Sequence, residues 1–351
     1  MDVRLRRIAA KLAIVRGLPG RAHSFGEEMH RFRLGPPLPE STVTAFETEH
    51  GIRLPEDYRS FLTTVGHAGA GPHYGLKPLG DWDYAVLDAL QPGHLATPFP
   101  LSPSDPAPSP DWYDALGAKD PEPYPGCLSL TSEGCSYSTL LVVSGPARGR
   151  VVNVDLDLRP PTFCHDSDFL AWYERWLDET VDGMDTSGFN VSLPYDQPLL
   201  VSLLRDAPDP RQRHAAAWTL GRCPALPPTA RSALRAAAVG DADAEVRLAA
   251  VIALGRRPTP ADAGTFTRAL TDTSAGIRDA ALGALSRRGS AWHARARALL
   301  FDTCPEVRRR AVHALDDSGV ITEDDLTPLL SDPDRSVREL AAWRLPRLAG
   351  R

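Results

Sequence analysis

Apolar positions in the second half of the chain recur at a spacing of 30 to 34 residues. Five segments align without gaps on an arginine that is followed three residues later by alanine and seven residues later by leucine. The position before the arginine, the alanine and the leucine fall on one side of a helix, so each segment predicts an amphipathic helix. In the last four copies an aspartate six residues before the arginine predicts the turn that starts this helix. The arginines are Arg213, Arg247, Arg278, Arg308 and Arg338, and the aspartates are Asp241, Asp272, Asp302 and Asp332.

A second helical stretch precedes these aspartates, for example at residues 259–270 and 321–330. One unit is therefore a helix–turn–helix. Since no single pair of helices can bury its own apolar face, the pairs are expected to stack into an all-α solenoid. The repeat resembles the HEAT family, specifically the short variety known from phycobilin-lyase-like proteins. We place about five helix pairs in residues 193–351.

The repeated arginine has two interpretations, a positive ladder for phosphate or a bond between neighbouring repeats. We expect each arginine to bond to an aspartate or a carbonyl group of the adjacent repeat, because forked arginine pairing satisfies polar groups between stacked elements. The triplet Arg308-Arg309-Arg310 has Glu306 and Asp302 close by in sequence. We therefore expect the triplet to lie on a solvated helix face.

The first half of the chain mixes helical and strand patterns. Helices are predicted over residues 40–51, 55–66 and 166–182, the last with an aromatic face. Strands are predicted at 127–131, 138–144 and 151–156, with a hairpin turn at 145–149. These elements predict an α+β domain in which helices pack on a mostly antiparallel sheet.

One stretch carries a family resemblance, running from Glu47 through Gly51-Ile52-Arg53-Leu54-Pro55-Glu56-Asp57-Tyr58-Arg59-Ser60-Phe61-Leu62. It resembles the opening signature of the SUKH superfamily (SMI/KNR-like proteins), and the later strands and helix follow in the same order over residues 3–182. The chain departs from that pattern at 66–71, where the family has an Asn-Gly type turn, and in a Pro-rich insertion. The resemblance implies toxin immunity in bacteria or regulation of cell-wall synthesis in fungi, neither of them catalytic.

The predicted organisation has three parts. Residues 1–185 form the SUKH-like domain, with the Pro-rich insertion at 92–125. Residues 186–192 form a polar linker, and residues 193–351 form the HEAT-repeat solenoid.

The net charge of −6 is unevenly distributed. Residues 40–200 carry 8 basic and 24 acidic groups, whereas the segments before and after them each carry an excess of five basic groups. Such an acidic segment disfavours nucleic acid and favours a basic partner. A long loop with aromatic and acidic side chains suits protein recognition. The candidate partner-binding residues are Asp81, Asp83, Asp105, Asp111, Trp112, Tyr113, Asp114, Asp120, Glu122 and Glu133.

No arrangement of catalytic, metal-binding or cofactor-binding residues stands out. The five cysteines are scattered and form no CxxC pair, which is typical of reduced thiols in a cytoplasm. The glycines at 69, 71 and 75 follow a helix and flank Pro72, which disfavours a nucleotide loop. We expect no catalytic residue, no metal, no cofactor, no small-molecule substrate and no membrane segment, and a cytoplasmic location.

The sequence thus predicts a non-catalytic protein-binding protein. The leading hypothesis is a bacterial immunity protein that binds and neutralises a basic toxin domain, such as a nuclease, through the acidic SUKH-like domain, with the HEAT repeats as scaffold or second binding surface. The alternatives are a cytoplasmic regulatory scaffold without a toxin partner and a DNA-binding HEAT protein.

Overall fold

A computed structural model describes residues 2–18, 26–81, 92–105, 124–155, 160–286 and 290–348. Contacts divide the chain into an N-terminal unit, Met1–Pro194, and a repeat unit, Tyr195–Arg351. The predicted residues Asp83, Asp111, Trp112, Tyr113, Asp114, Asp120 and Glu122 lie outside the described residues.

The N-terminal unit is α+β, as predicted. Its described helices are α1 Val3–Gly17, α2 Glu27–His30, α3 Glu40–His50, α4 Glu56–Thr64 and α5 Phe169–Val181. Its described strands are β1 Leu34–Gly35, β2 His67–Gly69, β3 Cys127–Gly134, β4 Tyr137–Val142, β5 Val151–Asp155 and β6 Thr162–Phe163. Strands β3, β4, β5 and β6 form an antiparallel sheet in that order, and β1 pairs with β2.

Local sequence explains where the helices of this unit begin and end. Gly51 ends α3 with a φ of 63°, a left-handed conformation that glycine adopts without strain. Pro55 precedes α4, whose first turn carries Glu56 and Asp57 against the positive helix terminus. Asp168 caps α5 by accepting a hydrogen bond from the Ala171 amide at 2.8 Å.

The central sheet is covered on both faces. On one face α1, α4 and α5 pack around an aromatic group in which Phe169 contacts Phe61 and Tyr173. On the other face Phe99 and Tyr124, both fully buried, pack with Leu140 and Val152. The described ends of the predicted Pro-rich insertion thus contribute to the core.

Residues 186–192, which the sequence assigns to a linker, pack inside the N-terminal unit. The segment begins with a 3₁₀ turn, Thr186–Gly188, and Phe189 is fully buried against Trp172. Asn190 accepts a hydrogen bond from Trp172 Nε1 at 2.8 Å. A buried aromatic and a satisfied amide stabilise this segment, so the division of the chain falls after Pro194.

The repeat unit is a helical solenoid of five described pairs. The first helices are α6 Gln197–Asp206, α8 Pro228–Gly240, α10 Ala263–Ala269, α12 His293–Ala298 and α14 Glu323–Leu326. The second helices are α7 Pro210–Gly221, α9 Ala244–Arg256, α11 Ala275–Leu285, α13 Pro305–Asp317 and α15 Arg335–Leu348. Each second helix packs on the next, and their repeated alanines are fully buried at Ala216, Ala250, Ala281, Ala311 and Ala341.

Candidate functional site

The repeated arginines form a ladder of ion pairs between successive repeats. Each of the first four donates from Nε and Nη2 to both carboxylate oxygens of the next repeat's aspartate, at 2.6–3.0 Å. The pairs are Arg213–Asp241, Arg247–Asp272, Arg278–Asp302 and Arg308–Asp332. The predicted bond to the adjacent repeat is therefore confirmed, and these guanidinium groups are occupied rather than offered to phosphate.

The ladder residues also form hydrogen bonds within the turn of their own repeat. Arg278 Nη1 donates to the carbonyl oxygens of Asp272 and Thr273 at 2.8 and 3.1 Å. Asp302 Oδ1 accepts from the Cys304 amide at 2.9 Å. Burial is the largest single influence on Asp302 and tends to raise its pKa. The hydrogen bonds from Arg278 and the Cys304 amide, with the charges of Arg278 and Arg308, together hold this pKa below its ordinary value.

The arginine triplet has three separate roles. Arg308 is largely buried in the ladder, which differs from the predicted solvated face. Arg309 donates to Ser336 Oγ at 3.0 Å in the following repeat, and Arg310 donates to Asp279 Oδ1 at 2.9 Å in the preceding repeat. Helical geometry separates the three, because adjacent residues point about 100° apart.

A solvent-facing stripe runs along the second helices, opposite their buried stripe. Positions one and five residues after the repeated arginine are one helical turn apart and share this face. We call these ten residues the second-helix face, and all of them are at least partly exposed. They are His214, Trp218, Leu248, Ile252, Asp279, Gly283, Arg309, His313, Glu339 and Trp343.

Two grooves open on the second-helix face between neighbouring helices. One, of about 340 Å³, lies between α7 and α9 and is lined by Pro210, Arg211, His214, Asp243 and Glu245. The other, of about 450 Å³, lies between α11 and α13 and is lined by Asp279, Glu306, Arg309, Arg310 and His313. Both contain arginine, histidine and carboxylate groups, so they can accept hydrogen bonds from, and donate them to, a polar polypeptide.

The titration of one groove residue follows from its surroundings. Burial, with Arg344 and Arg310 nearby, lowers the pKa of His313. The imidazole is therefore neutral near pH 7 and offers one donor and one acceptor nitrogen to a ligand.

The second-helix face was not predicted from the sequence. The alignment of the five repeats on their arginine could have revealed it, because a helix with a regular buried stripe also has a regular exposed face opposite. Apolar side chains at such positions, notably Trp343 with 49% of its surface exposed, mark a surface that its own unit does not cover.

Three of the ten predicted partner-binding residues are described. Asp81 and Asp105 are exposed, and Asp105 accepts a hydrogen bond from the Ser102 amide at 2.6 Å. Glu133 is largely buried, and its Oε1 accepts from Thr139, Asn153 and Asn190 at 2.7–3.0 Å. The Glu133 carboxylate is thus engaged within the unit.

The acidic character of the N-terminal unit is partly neutralised by its own first helix. Glu174 of α5 accepts hydrogen bonds from Arg7 at 2.8 Å and from Lys11 at 2.9 Å. Arg4 likewise pairs with Asp168 at 2.6 Å. The hydrogen bond from Arg7 is the main cause that lowers the pKa of Glu174 to about 2. The charge excess counted over residues 40–200 therefore overstates the acidity of this surface.

Within the described ranges, no group of three His, Cys, Asp or Glu side chains could hold a metal ion. Among those same residues, no helix is long and apolar enough to cross a membrane.

Comparisons with known proteins identify the repeat. The profile of HEAT repeats matches residues 197–286, whereas the curated proteins contain no match. The X-ray structure of YibA from E. coli is similar at 20% identity and a TM-score of 0.40, over 47% of this chain and 67% of that chain. A designed armadillo repeat protein in complex with the peptide (KR)4 is similar at 20% identity and a TM-score of 0.34, over 43% of this chain and 81% of that chain.

The match covers the first three helix pairs, and the same arginine–aspartate pairs continue to Asp332. The C-terminal part of the chain is therefore a HEAT-repeat array, a fold typical of protein-binding scaffolds.

Proposed function

We propose that the protein is a non-catalytic scaffold that binds a protein or peptide on the second-helix face of its HEAT array. The observation that carries the proposal is a continuous, at least partly exposed face with two polar grooves and a half-exposed tryptophan. Solenoids bind extended partners on surfaces of this kind, because each repeat adds one further helix to the face.

The chemistry of the grooves favours a partner of mixed charge. The groove between α7 and α9 sets Arg211 and His214 against Asp243 and Glu245. The apolar side chains Leu248 and Ile252 follow Glu245 on α9. A polypeptide that alternates charged and apolar side chains matches this order, whereas a uniformly anionic polymer does not.

The finer proposal is that the N-terminal unit confers immunity in a bacterium by occluding a basic toxin. The signature around Tyr58 and the observed order of α3, α4, the sheet and α5 support it. Opposite charges would steer association. Because Arg4 and Arg7 of α1 neutralise Asp168 and Glu174, the acidic surface that remains lies away from α5. The remaining candidates are the exposed Asp81 and Asp105 and the acidic residues between 111 and 122, which lie outside the described residues.

A regulatory scaffold without a toxin partner is the alternative, and a toxin gene beside this one would distinguish the two. DNA binding by the basic repeat unit is a third candidate. It requires an affinity that falls steeply with salt. The pairing of the ladder arginines with aspartates speaks against this candidate.

The experiment is co-purification of the full chain from its native host, with partners identified by mass spectrometry. Arg309→Glu with His313→Glu should remove a partner held by the second-helix face. Arg268→Glu, an exposed change on the first helix α10, is the matched control. If both variants retain the same partners, the second-helix face is not the binding site.

A stopped-flow measurement of association with the partner so identified tests the N-terminal unit. Neutralising Asp111, Asp114, Asp120 and Glu122 together should slow association with a basic toxin, and added salt should slow it similarly. An association rate unaffected by both changes would exclude these four acidic residues as the groups that steer association.

A further inference from the structure

The N-terminal unit carries arginines that its own carboxylates do not neutralise. Residues 1–39 have an excess of five basic groups, and three of these pair with carboxylates of α5, as described above. Arg16, Arg31 and Arg33 are different. All three are exposed, and none lies within ion-pair distance of a carboxylate in the described part of the chain. Their charge is therefore presented to solvent.

Contacts around Phe32 bring these three arginines to one place. Arg16 donates from Nε and Nη2 to the Phe32 carbonyl oxygen at 3.3 and 3.1 Å. Arg31 and Arg33 flank Phe32 in the chain. The ring of Phe32 is buried and stacks on Trp176 with 5.4 Å between the centroids, which fixes the backbone that carries the arginines. We call Arg16, Arg31 and Arg33 the basic patch.

The backbone conformation of Arg31 is costly for an arginine. Arg31 ends α2 with a φ of 49° and a ψ of 35°, a left-handed conformation that glycine adopts without strain. Phe32 also has a positive φ, of 55°, but the burial of its ring accounts for that residue. The exposed Arg31 side chain makes no ion pair or hydrogen bond with the residues that the structure describes. Packing therefore does not explain an arginine at this position, whereas binding at the surface does.

An exposed methionine lies beside the patch. Met29 precedes Arg31 by two residues, and 70% of its surface is exposed. The neighbouring Glu28 is also exposed, so three positive charges face one negative charge here. Arginine and methionine are enriched in protein interfaces, where lysine is depleted. This surface combines a positive charge with an apolar contact of the kind that protein interfaces use.

We propose that the basic patch binds an acidic segment of a protein partner, in which aspartate or glutamate residues flank an apolar side chain that packs on Met29. A guanidinium group accepts a carboxylate in bidentate fashion, as the four ladder pairs show. The positive charge selects an anionic partner and rejects a basic one.

Two other anionic partners suit the patch less well. Bases of single-stranded nucleic acid stack on exposed rings, but Phe32, which lies between Arg31 and Arg33, is buried. Recognition of anionic lipid takes a cluster of about 4–8 basic residues, more than the three of the patch. This site goes beyond the scaffold function proposed above, because it belongs to the N-terminal unit and not to the second-helix face.

The test selects ligands from a phage-displayed library of random peptides on the full-length chain. We expect selected peptides with acidic residues around an apolar one, and a fluorescein-labelled copy is titrated by fluorescence anisotropy. Arg31→Gln with Arg33→Gln should weaken its binding about tenfold or more. Arg6→Gln with Arg53→Gln is the matched control, since it removes the same charge from two other exposed arginines of the unit, and it should leave binding unchanged.

Two further variants separate binding from folding. Arg31→Gly suits the left-handed backbone, so it should weaken binding while the melting temperature stays the same or rises. Met29→Ala should speed dissociation without changing the dependence of association on salt. Full binding by Arg31→Gly, or a selection that yields no acidic peptide sensitive to Arg31→Gln with Arg33→Gln, would overturn the proposal.

The same titration with a single-stranded oligonucleotide and with vesicles of phosphatidylcholine and phosphatidylserine tests the other partners. Binding of either probe that requires Arg31 and Arg33, without binding of acidic peptides, would overturn the assignment to a protein.

Failure of the basic patch leaves the scaffold proposal intact. Arg31→Gln with Arg33→Gln should retain the partners that Arg309→Glu with His313→Glu loses. If the second of these double variants, and not the first, loses the acidic peptides, they bind the second-helix face and the basic-patch proposal is wrong.

Discussion

Replacement of Asp302 by alanine tests the ladder at its centre. The carboxylate accepts two hydrogen bonds from Arg278, at 2.8 and 2.6 Å, and one from the Cys304 amide at 2.9 Å. Only 6% of the Asp302 side chain and 11% of the Arg278 side chain is exposed. Asp302→Ala therefore leaves a guanidinium group largely out of water without its counter-ion and removes a hydrogen bond within the turn before α13.

The expected loss of unfolding free energy is about 3–5 kcal/mol, the range for breaking a buried ion pair by removal of one partner. About 1 kcal/mol of this comes from the lost hydrogen bond to the Cys304 amide. Urea unfolding followed by circular dichroism measures the loss, and hydrogen exchange of α11 and α13 shows that it is localised there. Arg278→Met with Asp302→Ala should be more stable than the sum of the single changes predicts, because no unpaired charge remains.

Arg335 and Glu339 provide the matched control. They also form an arginine–carboxylate pair, but both side chains are mostly exposed, at 83% and 61%. Glu339→Ala should therefore leave stability nearly unchanged. An equal effect of Asp302→Ala and Glu339→Ala would refute the inference that the ladder stabilises the stack.

The remaining predictions concern packing, pH and the boundary between the units. Leu285→Ala or Leu315→Ala should each cost about 2–5 kcal/mol in denaturant unfolding, since both leucines are buried; losses below about 0.5 kcal/mol at both would place them outside the core. The low pKa of Glu174, about 2, stabilises the N-terminal unit above the ordinary carboxyl pKa, and this contribution is lost as the pH falls towards 2. Glu174→Gln should therefore reduce the amount of unfolding free energy that the unit loses on acidification. An unchanged loss would contradict the pairing of Glu174 with Arg7. Limited proteolysis should cut at 193–196 before it cuts within 186–192, because the latter segment is packed; early cleavage inside 186–192 would show that it opens readily.

The repeat unit was predictable because its information is local and repeated. A single apolar stripe is ambiguous, but five copies in register specify the helices, their order and the arginine–aspartate pairs. The stack then follows from the need of each pair to cover the next.

The N-terminal unit was predicted less completely, because its packing depends on residues far apart in sequence. Helix α1 was missed although Leu5, Ile8, Leu12 and Val15 are spaced as one buried face, since basic residues between them hid the pattern. The packing of Phe189 against Trp172 has no local signal at all. A polar composition was therefore mistaken for a linker.

The candidate sites differ in the same way. Charge counting along the chain drew attention to the acidic segment but could not show that Arg7 and Lys11 pair with Glu174. The second-helix face requires the exposed positions of separate repeats to be aligned, which the search for buried positions did not do.

The ion pairs between α1 and α5 have a consequence for synthesis on the ribosome. Arg4 and Arg7 bind carboxylates 164 and 167 residues later in the chain. Since the ribosome adds roughly 5–20 residues per second, the apolar side of α1 stays uncovered for on the order of ten seconds or more before α5 emerges. Each ladder arginine meets its aspartate after only 24 to 28 residues, so the array assembles step by step as it is made. We therefore expect the nascent N-terminal unit, rather than the array, to need protection by a chaperone during synthesis.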